Sequence, residues 1–406
     1  MYYQRQLEDR LIAASAQFPA LLLIGPRQTG KTTLLQHLCG RDRRYVSLDH
    51  PASRELASGD PGLFLQRYPP PVLIDEIQYA PGLLPRIKMH IDAERKTGAF
   101  WLTGSQQFHM MKGVTESLAG RVAVINLLGF SARERDRLRL DAPPFLPTEN
   151  RLAQGRRDVR LSESEIYERI WVGSLPALVA GPAHDRNLFL SSYVQTYLQR
   201  DVRDLAQVGS QESFLRFLRA CAARTGQLLN LSDLARDVDV SVMTAKTWLS
   251  ILVASLQVFL LQPYHSNVTK RLVKRPKLYF LDTGLAAYLT EWSTPQTLAA
   301  GAMAGPMLET YVFAEILKSW WHRMERPLLY YYRDRDGREI DLLLVQDRVI
   351  HPVEVKRSAS PRAEWVRPFA ALGRLPGQIG PGAVMCLVPE IVPLDAGNSA
   401  VPVSWI

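Results

Sequence analysis

The fold of this 406-residue chain is decided by the stretch Ala20-Leu21-Leu22-Leu23-Ile24-Gly25-Pro26-Arg27-Gln28-Thr29-Gly30-Lys31-Thr32-Thr33. It begins with an apolar run, which predicts a strand that is buried on both faces. The next residues fit the pattern G-x-x-x-x-G-K-[ST], and a helical pattern follows over 31–38. Strand, glycine-rich turn and helix in this order are typical of a P-loop, in which backbone N–H groups and the start of a helix surround a phosphate.

The P-loop predicts a binding site for ATP with Mg²⁺. Gly25 and Gly30 allow the backbone to approach the phosphates closely. Lys31 is expected to neutralise the β- and γ-phosphates, the Thr32 hydroxyl to bind Mg²⁺, and Thr33 to contact an outer phosphate. The predicted ATP-binding residues are Gly25, Pro26, Arg27, Gln28, Thr29, Gly30, Lys31, Thr32 and Thr33.

Two acidic residues follow another apolar strand, 71–74. Asp75, at the carboxyl edge of the sheet, is predicted to bind the same Mg²⁺, and Glu76 to be the catalytic base that polarises the attacking water. Two surface acids at a strand end are the alternative, but a P-loop at a suitable separation favours the catalytic interpretation.

Two further residues are candidate catalytic groups. Ser105 follows the strand 100–103, and we predict that it contacts the γ-phosphate or orients the water, with Thr103 as the second choice. An ordinary turn would explain the same residues. Arg121 is predicted to stabilise charge in the transition state, either in its own subunit or in a neighbouring one, although an arginine here is equally often a surface cation.

The order of elements predicts the domains. Strands alternate with helices over about the first 130 residues, which indicates an α/β fold with a parallel sheet and helices on both faces. An arginine-rich stretch, 131–160, is interpreted as a solvated basic face, and a dedicated binding arm is the alternative. We predict a P-loop core at 1–135, a helical region with a winged helix at 136–295, and a second α/β domain at 296–406.

The composition limits the function classes. Hydrophobic residues make up 47% and charged residues 22%, as in soluble globular proteins, and no apolar stretch reaches the roughly 20 residues of a membrane span. The net charge of +9 favours an anionic partner such as nucleic acid, although many soluble proteins are basic. Three separate cysteines, Cys39, Cys221 and Cys386, fit a reducing cytoplasm and exclude a cysteine-rich metal site.

Residues 228–288 have the pattern of a winged helix. A short helix, a turn and a second helix, Val242–Leu256, precede two candidate wing strands, Val258–Pro263 and Lys277–Leu281. The pattern predicts DNA binding, and a protein-binding module is the alternative. The predicted nucleic-acid contacts are Lys246, Lys270, Arg271, Lys274, Arg275 and Lys277.

Four residues of the last region have a characteristic spacing. Glu309 lies on a predicted helix, 307–324, and Asp341 on a strand; Glu354 and Lys356 share one face of the next strand because side chains alternate with a period of two. The set resembles the PD-(D/E)xK nuclease fold. That resemblance implies that Glu309, Asp341 and Glu354 bind Mg²⁺ and that Lys356 holds or activates the attacking water. A nuclease fold that persists as an inactive binding module is the alternative.

Several segments resemble those of one family: the P-loop, Ile74-Asp75-Glu76, Leu102-Thr103-Gly104-Ser105, Leu118-Ala119-Gly120-Arg121, Gly173-Ser174-Leu175-Pro176 and Tyr193–Val202. The family is that of the AAA-type ATPases of bacteria and archaea that carry a C-terminal domain of unknown function. The resemblance implies an ASCE-division P-loop core, a DNA-binding-like middle and a nuclease-like tail. In such a core the strand 100–103 lies between the P-loop strand and the acidic strand. Ser174 stands where the family usually has a second glycine.

Two hypotheses about function stay open. In the first, the chain is a cytoplasmic Mg²⁺-dependent ATPase that binds DNA through a basic winged helix, with or without cleavage by its tail. In the second, it is an ATP-gated switch or scaffold for a protein partner, and the tail is inert. Retention on DNA that falls steeply with salt separates the two. Neither hypothesis involves a membrane, and both are compatible with a homo-oligomer.

Overall fold

The computed structural model of the chain describes residues 2–104, 117–155, 160–181, 185–197, 211–264 and 275–406. These residues form a parallel sheet flanked by helices, a mostly helical region with a small antiparallel sheet, and a mixed sheet at the C-terminal end.

The first sheet confirms the predicted parallel α/β fold. Its strands are β1 Ala20–Ile24, β2 Arg44–Ser47, β3 Val72–Asp75, β4 Phe100–Gly104 and β5 Val122–Asn126, and its flanking helices are α1 Glu8–Ser15, α2 Lys31–Leu38, α3 Pro51–Gly59, α4 Pro61–Arg67 and α5 Leu83–Glu94. The strands are parallel in the order β2-β3-β4-β1-β5. Strand β4 therefore lies between β1, which precedes the P-loop, and β3, which ends in the acidic pair.

Helices cover both faces of this sheet because its central strands are apolar on both sides. Along β1, Ala20, Leu22 and Ile24 face a core that includes α4 and α5, whereas Leu21 and Leu23 face α1 and α2. Since the strands are parallel, the carboxyl ends of β1, β3 and β4 meet at one edge, and that edge carries the candidate nucleotide site.

The middle region is mostly helical. Its helices are α6 Ala132–Arg135, α7 Glu149–Gly155, α8 Glu163–Val172, α9 Pro176–Val179, α10 Arg186–Tyr197, α11 Gln211–Ala222, α12 Leu231–Asp237, α13 Val242–Ala254, α14 Thr283–Leu289 and α15 Pro295–Ala300, and its strands are β6 Gln227–Leu228, β7 Val258–Leu261 and β8 Lys277–Phe280. The strands pair antiparallel in the order β6-β8-β7, with Leu261 opposite Lys277. The Ser241 hydroxyl caps α13 by accepting a hydrogen bond from the Thr244 N–H at 3.0 Å.

The C-terminal region consists of a long helix and a mixed sheet. Its elements are α16 Ala304–Trp321, β9 Leu328–Arg333, β10 Glu339–Gln346, β11 Val349–Lys356, β12 Gln378–Ile379, β13 Gly382–Cys386, β14 Val392–Pro393 and β15 Asn398–Pro402. Helix α16 begins three residues before the predicted Met307. Pro306 is tolerated there because the N–H groups of a first helical turn have no partner within the helix. Neither α16 nor any other described helix is long and apolar enough to cross a membrane.

The regions are joined by a continuous core and by buried polar contacts. One cluster of buried apolar side chains runs from Leu128 through the middle helices to the C-terminal sheet. On α16, Glu315 accepts a hydrogen bond from the Ala132 N–H at 2.7 Å, and the Lys318 ammonium donates to the Phe130 carbonyl at 3.0 Å. Helix α16 is therefore fastened directly to the segment that leaves the first sheet.

The expectation of a solvated basic face at 131–160 is wrong for its first turn. Arg133 is 8% exposed and Glu134 is 1% exposed. The Glu134 carboxylate is drawn inward because it closes a capping box with Ser131 and pairs with Arg5 from the start of the chain.

Candidate functional site

Both glycines of the P-loop occupy positions that other residues could not easily take. A Cβ on Gly25 would lie 2.0 Å from the Leu127 carbonyl oxygen, so no side chain fits at this position. Gly30, the residue before α2, has φ +89°, a value that side chains rarely permit. The two glycines are therefore required by close packing and by backbone geometry.

The Lys31 ammonium is held inside the loop. It donates hydrogen bonds to the carbonyl oxygens of Gly25 at 3.0 Å and Pro26 at 2.7 Å, and the residue is 6% exposed. Backbone carbonyls carry no net charge, so a phosphate in the loop would attract this ammonium more strongly than these two acceptors do.

The acidic edge is organised around one carboxylate oxygen. Asp75 Oδ1 accepts a hydrogen bond from the Thr32 hydroxyl at 2.7 Å and another from the Thr103 hydroxyl. The Thr103 oxygen in turn accepts from the Glu76 N–H at 3.0 Å. The structure thus brings together Thr32, Asp75 and Glu76 as predicted, and gives Thr103 a definite place between the two acids.

Glu76 has an unusual backbone. Its φ and ψ are +58° and +48°, in the left-handed region that few non-glycine residues adopt. Its carboxylate accepts a hydrogen bond from the Gln78 side chain. The Glu76 backbone can be held in this conformation because the neighbouring hydrogen bond to Thr103 fixes the turn.

One predicted catalytic residue, Arg121, is not part of this group, and Ser105 lies outside the described residues. Arg121 precedes β5, and β5 runs parallel to β1 with Val122 beside Ala20, so Arg121 lies at the edge opposite the P-loop. Its guanidinium forms hydrogen bonds of 2.6 and 3.1 Å with Asp92 of α5. The structure therefore does not bring Arg121 to the P-loop of its own chain.

A cavity of about 120 Å³ adjoins the P-loop. Its walls include Gly30, Thr33 and Leu34 on one side and aromatic residues on the other. The Tyr3 ring stacks on Phe130 with a centroid distance of 5.2 Å. The lining residues are Tyr2, Tyr3, Arg5, Gly30, Thr33, Leu34, Phe130, Pro176 and Ala180. Pro176 is the last residue of the segment Gly173-Ser174-Leu175-Pro176, so this segment contributes to the wall of the cavity.

A buried network behind the P-loop has no local signal in the sequence. The Arg5 guanidinium donates to the Thr29 carbonyl at 2.9 Å and forms an ion pair with Glu134 at 3.0 Å. His322, at the end of α16, lies with its Nδ1 3.5 Å from the same carboxylate. Burial opposes ionisation of Glu134, but Arg5, His322 and the Ser131 N–H together outweigh it and lower the pKa of the carboxyl. No local motif marks Arg5, because its partners are far away in sequence.

The predicted C-terminal residues also meet. The Asp341 carboxylate accepts from the Val355 N–H at 2.9 Å, and the Asp341 N–H lies 3.4 Å from the Glu354 carboxylate. Lys356 donates to Glu354 at 2.6 Å. Burial, then the charge of Asp341, raises the pKa of Glu354 to about 7 although Lys356 opposes the shift.

Lys277 was predicted to contact nucleic acid, and the structure corrects this. The residue is 2% exposed, and its ammonium lies 2.6 Å from Glu339, 3.0 Å from Glu309 and 3.3 Å from Asp341. The basic run in the sequence hid this role, because Lys277 begins β8 and points into the C-terminal region. Burial, then the charge of Asp341, raises the pKa of Glu309 to about 8, against the effect of Lys277.

Two of the other predicted nucleic-acid contacts, Lys246 and Arg275, belong to the described part of the chain. Lys246 is exposed on α13 and Arg275 is exposed just before β8. Lys270, Arg271 and Lys274 lie outside the described residues.

Models of known domain families match most of the chain. An AAA domain matches residues 17–135, a domain of unknown function (DUF8612) matches 163–296, and a second domain of unknown function (DUF4143) matches 304–406. Together with the parallel sheet and the P-loop geometry, the first match makes this protein an AAA-type P-loop ATPase, as the sequence resemblance implied.

Two mycobacterial proteins are similar in sequence to most of this chain. They are the uncharacterized proteins Mb2031c of Mycobacterium bovis and Rv2008c of Mycobacterium tuberculosis, each 30% identical over 365 residues, which cover 88% of this chain and 75% of each relative. The chain belongs to the same family as these two proteins. Among solved structures, the Walker-type ATPase PABY2304 of Pyrococcus abyssi is similar with a TM-score of 0.44 and 17% identity, over 71% of this chain and 96% of that chain.

Proposed function

We propose that this AAA-type ATPase hydrolyses ATP with Mg²⁺ at Gly25–Thr33 and uses the cycle to act on DNA through the helix pair α12–α13. The observation that carries the first part is the contact of Thr32 and Asp75, 2.7 Å apart, beside the buried Lys31. A hydroxyl and a carboxylate this close are suitable inner and outer partners of one Mg²⁺, while the lysine faces the β- and γ-phosphates.

In this proposal the chain's own residues divide the work of hydrolysis. Glu76 takes a proton from the attacking water, and Thr103 keeps that base in position through the Glu76 N–H. Lys31 exchanges its carbonyl partners for phosphate oxygens and offsets their charge. Ser105 remains our candidate for the group that senses the γ-phosphate.

The cavity beside the P-loop supports a purine nucleotide as the ligand. Tyr3 and Phe130 offer stacked aromatic surface, and Leu34 with Pro176 offers aliphatic surface, which together suit a flat heterocycle. Gly30 borders both the phosphate loop and this cavity, so one ligand can fill the two.

Support for DNA comes from the middle region. Helices α12 and α13 are followed by the antiparallel strands β7 and β8, which is the order of elements in a winged helix. The outer face of α13 is exposed at Met243, Lys246, Thr247 and Ser250, as a helix that enters a groove requires. The net charge of +9 supports a polyanionic partner.

The first experiment measures Mg²⁺-dependent ATP hydrolysis with and without duplex and single-stranded DNA, at several salt concentrations. We expect DNA to stimulate hydrolysis, and the effect to fall as salt rises because phosphate contacts release counterions. Lys246→Ala should weaken this stimulation. Lys96→Ala, which removes an exposed lysine that pairs with Glu94, is the matched control and should not. Hydrolysis that ignores DNA at low salt would contradict the DNA part of the proposal.

The exposed apolar residues Val242 and Met243 favour a second candidate function. They are 47% and 71% exposed at the start of α13. Lys277 is buried, so it adds no positive charge to the surface of this region. In this alternative the helix pair binds a protein partner and ATP gates the contact. DNA-independent hydrolysis, together with no retention on DNA at low salt, would select this alternative.

A further inference from the structure

The carboxylate cluster of the C-terminal region contains a cation that comes from another region of the chain. Its carboxylates are Glu309 on α16, Glu339 and Asp341 on β10, and Glu354 on β11. The Lys277 ammonium, from β8, lies within 3.3 Å of three of them, and only 3% of its side chain is exposed. Tyr279 of the same strand adds a hydrogen bond to Glu309.

The nuclease resemblance implies a divalent metal ion at Glu309, Asp341 and Glu354, and the residues do not fit that ion. Asp341 turns one oxygen to the Val355 N–H and the other to Lys277. Glu354 faces Lys356 with one oxygen. Within the described ranges, no group of three or more His, Cys, Asp or Glu side chains is arranged to hold a metal ion. A metal ion would have to displace an ammonium that is already buried.

Electrostatics explains why a lysine can take this position. Carboxylates this close repel one another in a partly dry site and need a positive charge among them. An ammonium supplies that charge with donors in several directions, and its covalent link to β8 means that it is never lost to solvent. Unlike a metal ion, it has no open coordination position for water, so it cannot generate a nucleophile.

We propose that the Lys277 ammonium is the built-in counter-cation of this cluster, in the place where a metal-dependent nuclease would bind its ion. The C-terminal domain therefore takes no divalent metal at Asp341. Instead, Lys277 fastens the small antiparallel sheet of the middle region to α16 and β10. The residues that resemble a nuclease site in the sequence thus form a joint, that is, a contact that holds the middle and C-terminal regions together.

The test is a calorimetric titration of the full-length protein with MnCl₂ in the absence of nucleotide. All proteins carry Thr32→Ala, which weakens the nucleotide-site metal position. We expect no Mn²⁺ binding that depends on Asp341 while Lys277 is present. Lys277→Met should gain one equivalent of bound Mn²⁺, and the gain should disappear when Asp341→Asn is added. Mn²⁺ should also raise the unfolding temperature of Lys277→Met and leave that of the parent unchanged.

A matched control separates Lys277 from general charge effects. Lys356→Met removes the other ammonium, whose side chain is 38% exposed, and should gain no Mn²⁺. If Lys277→Met does not fold, Lys277→Met/Glu309→Gln replaces it, because that pair of changes leaves the net charge of the fully ionised cluster unchanged and leaves Asp341 and Glu354 in place. A folded form of either variant that takes no Mn²⁺ overturns the proposal.

The comparison of the parent with Asp341→Asn decides the matter without any change at Lys277. Mn²⁺ that binds the parent and is lost in Asp341→Asn overturns the proposal directly. A gain of Mn²⁺ by Lys356→Met equal to that of Lys277→Met overturns it too, since the position would then have no special cation. The ATPase assay plays no part in these outcomes, so they are independent of the proposed function.

Discussion

The nucleotide site and the C-terminal carboxylate cluster each contain a buried lysine among oxygen atoms, and the partners of the two lysines differ. Lys31 lies on two neutral backbone carbonyls, whereas Lys277 lies among three carboxylates. A phosphate improves the surroundings of the first ammonium and has nothing to offer the second. The charge of these partners therefore leads us to expect a ligand at Lys31 and a structural role for Lys277.

The largest effect is expected at the first lysine. Lys31→Ala should lower kcat/KM for Mg²⁺-dependent ATP hydrolysis by at least about a thousandfold, because the charge on the transferring phosphoryl group loses its main protein partner. The unfolding temperature should change less than the activity does, since the two hydrogen bonds lost at Gly25 and Pro26 go to neutral carbonyls. Steady-state kinetics and thermal unfolding measure the two quantities. A destabilised but active Lys31→Ala would mean that this lysine resembles Lys277 after all.

Removal of the base should separate catalysis from binding. Glu76→Gln is expected to lower kcat by about a hundredfold to a thousandfold while nucleotide binding persists, because the amide cannot accept the proton of the attacking water. Lys356→Met, in the other site, is the control and should leave ATP hydrolysis unchanged. Equilibrium binding of a fluorescent ATP analogue, measured beside turnover, checks this. Normal turnover by Glu76→Gln would assign the base to another residue.

The residues that the structure brings together at the first site are ones that local patterns in the sequence could identify. A P-loop is contiguous, and Asp75 and Glu76 end a strand whose place in a parallel sheet follows from the pattern of elements. The cluster was predicted only in part. Period-2 spacing found Glu354 and Lys356, and helix and strand patterns placed Glu309 and Asp341.

Two features of the fold could not be predicted from local patterns. Lys277 stands in a basic run, and only the tertiary packing of β8 against β10 and α16 shows that it faces inward. Arg5 and Glu134 are separated by the whole first sheet in sequence. Periodicity reports which face of an element is buried, but it does not report which distant charge shares that space.

The buried network behind the P-loop, which contains Arg5, Glu134 and His322, should make stability depend on pH. Burial lowers the pKa of His322 to about 4, against the effect of Glu134 and with a smaller effect of Arg5 and Lys318 in the same direction. The unfolded chain protonates this histidine near pH 6.5, the folded chain only near pH 4. The contribution of His322 to the free energy of unfolding is therefore at its full value above pH 6.5. It falls by about 3 kcal/mol as the pH drops to 4.

Denaturant unfolding between pH 4 and 7 measures this loss, and His322→Gln is the control because its side chain does not titrate. The difference in unfolding free energy between the two proteins should shrink or reverse as the pH falls. Parallel curves across this range would show that His322 is already free to ionise in the folded protein. The buried network behind the P-loop would then be more accessible to water than its burial indicates.

The smallest effect is expected at Arg121, and it tests whether the nucleotide site is complete within one chain. The Arg121–Asp92 pair is exposed to solvent and lies at the edge opposite the P-loop, so Arg121→Ala should change the unfolding free energy only slightly. If Arg121 serves a neighbouring subunit, the specific ATPase activity of the parent rises with protein concentration and that of Arg121→Ala does not. Specific activity that is flat and equal for both proteins would show that Arg121 has no catalytic role. The nucleotide site would then resemble the carboxylate cluster in one respect, because each would hold all of its charged groups within a single chain.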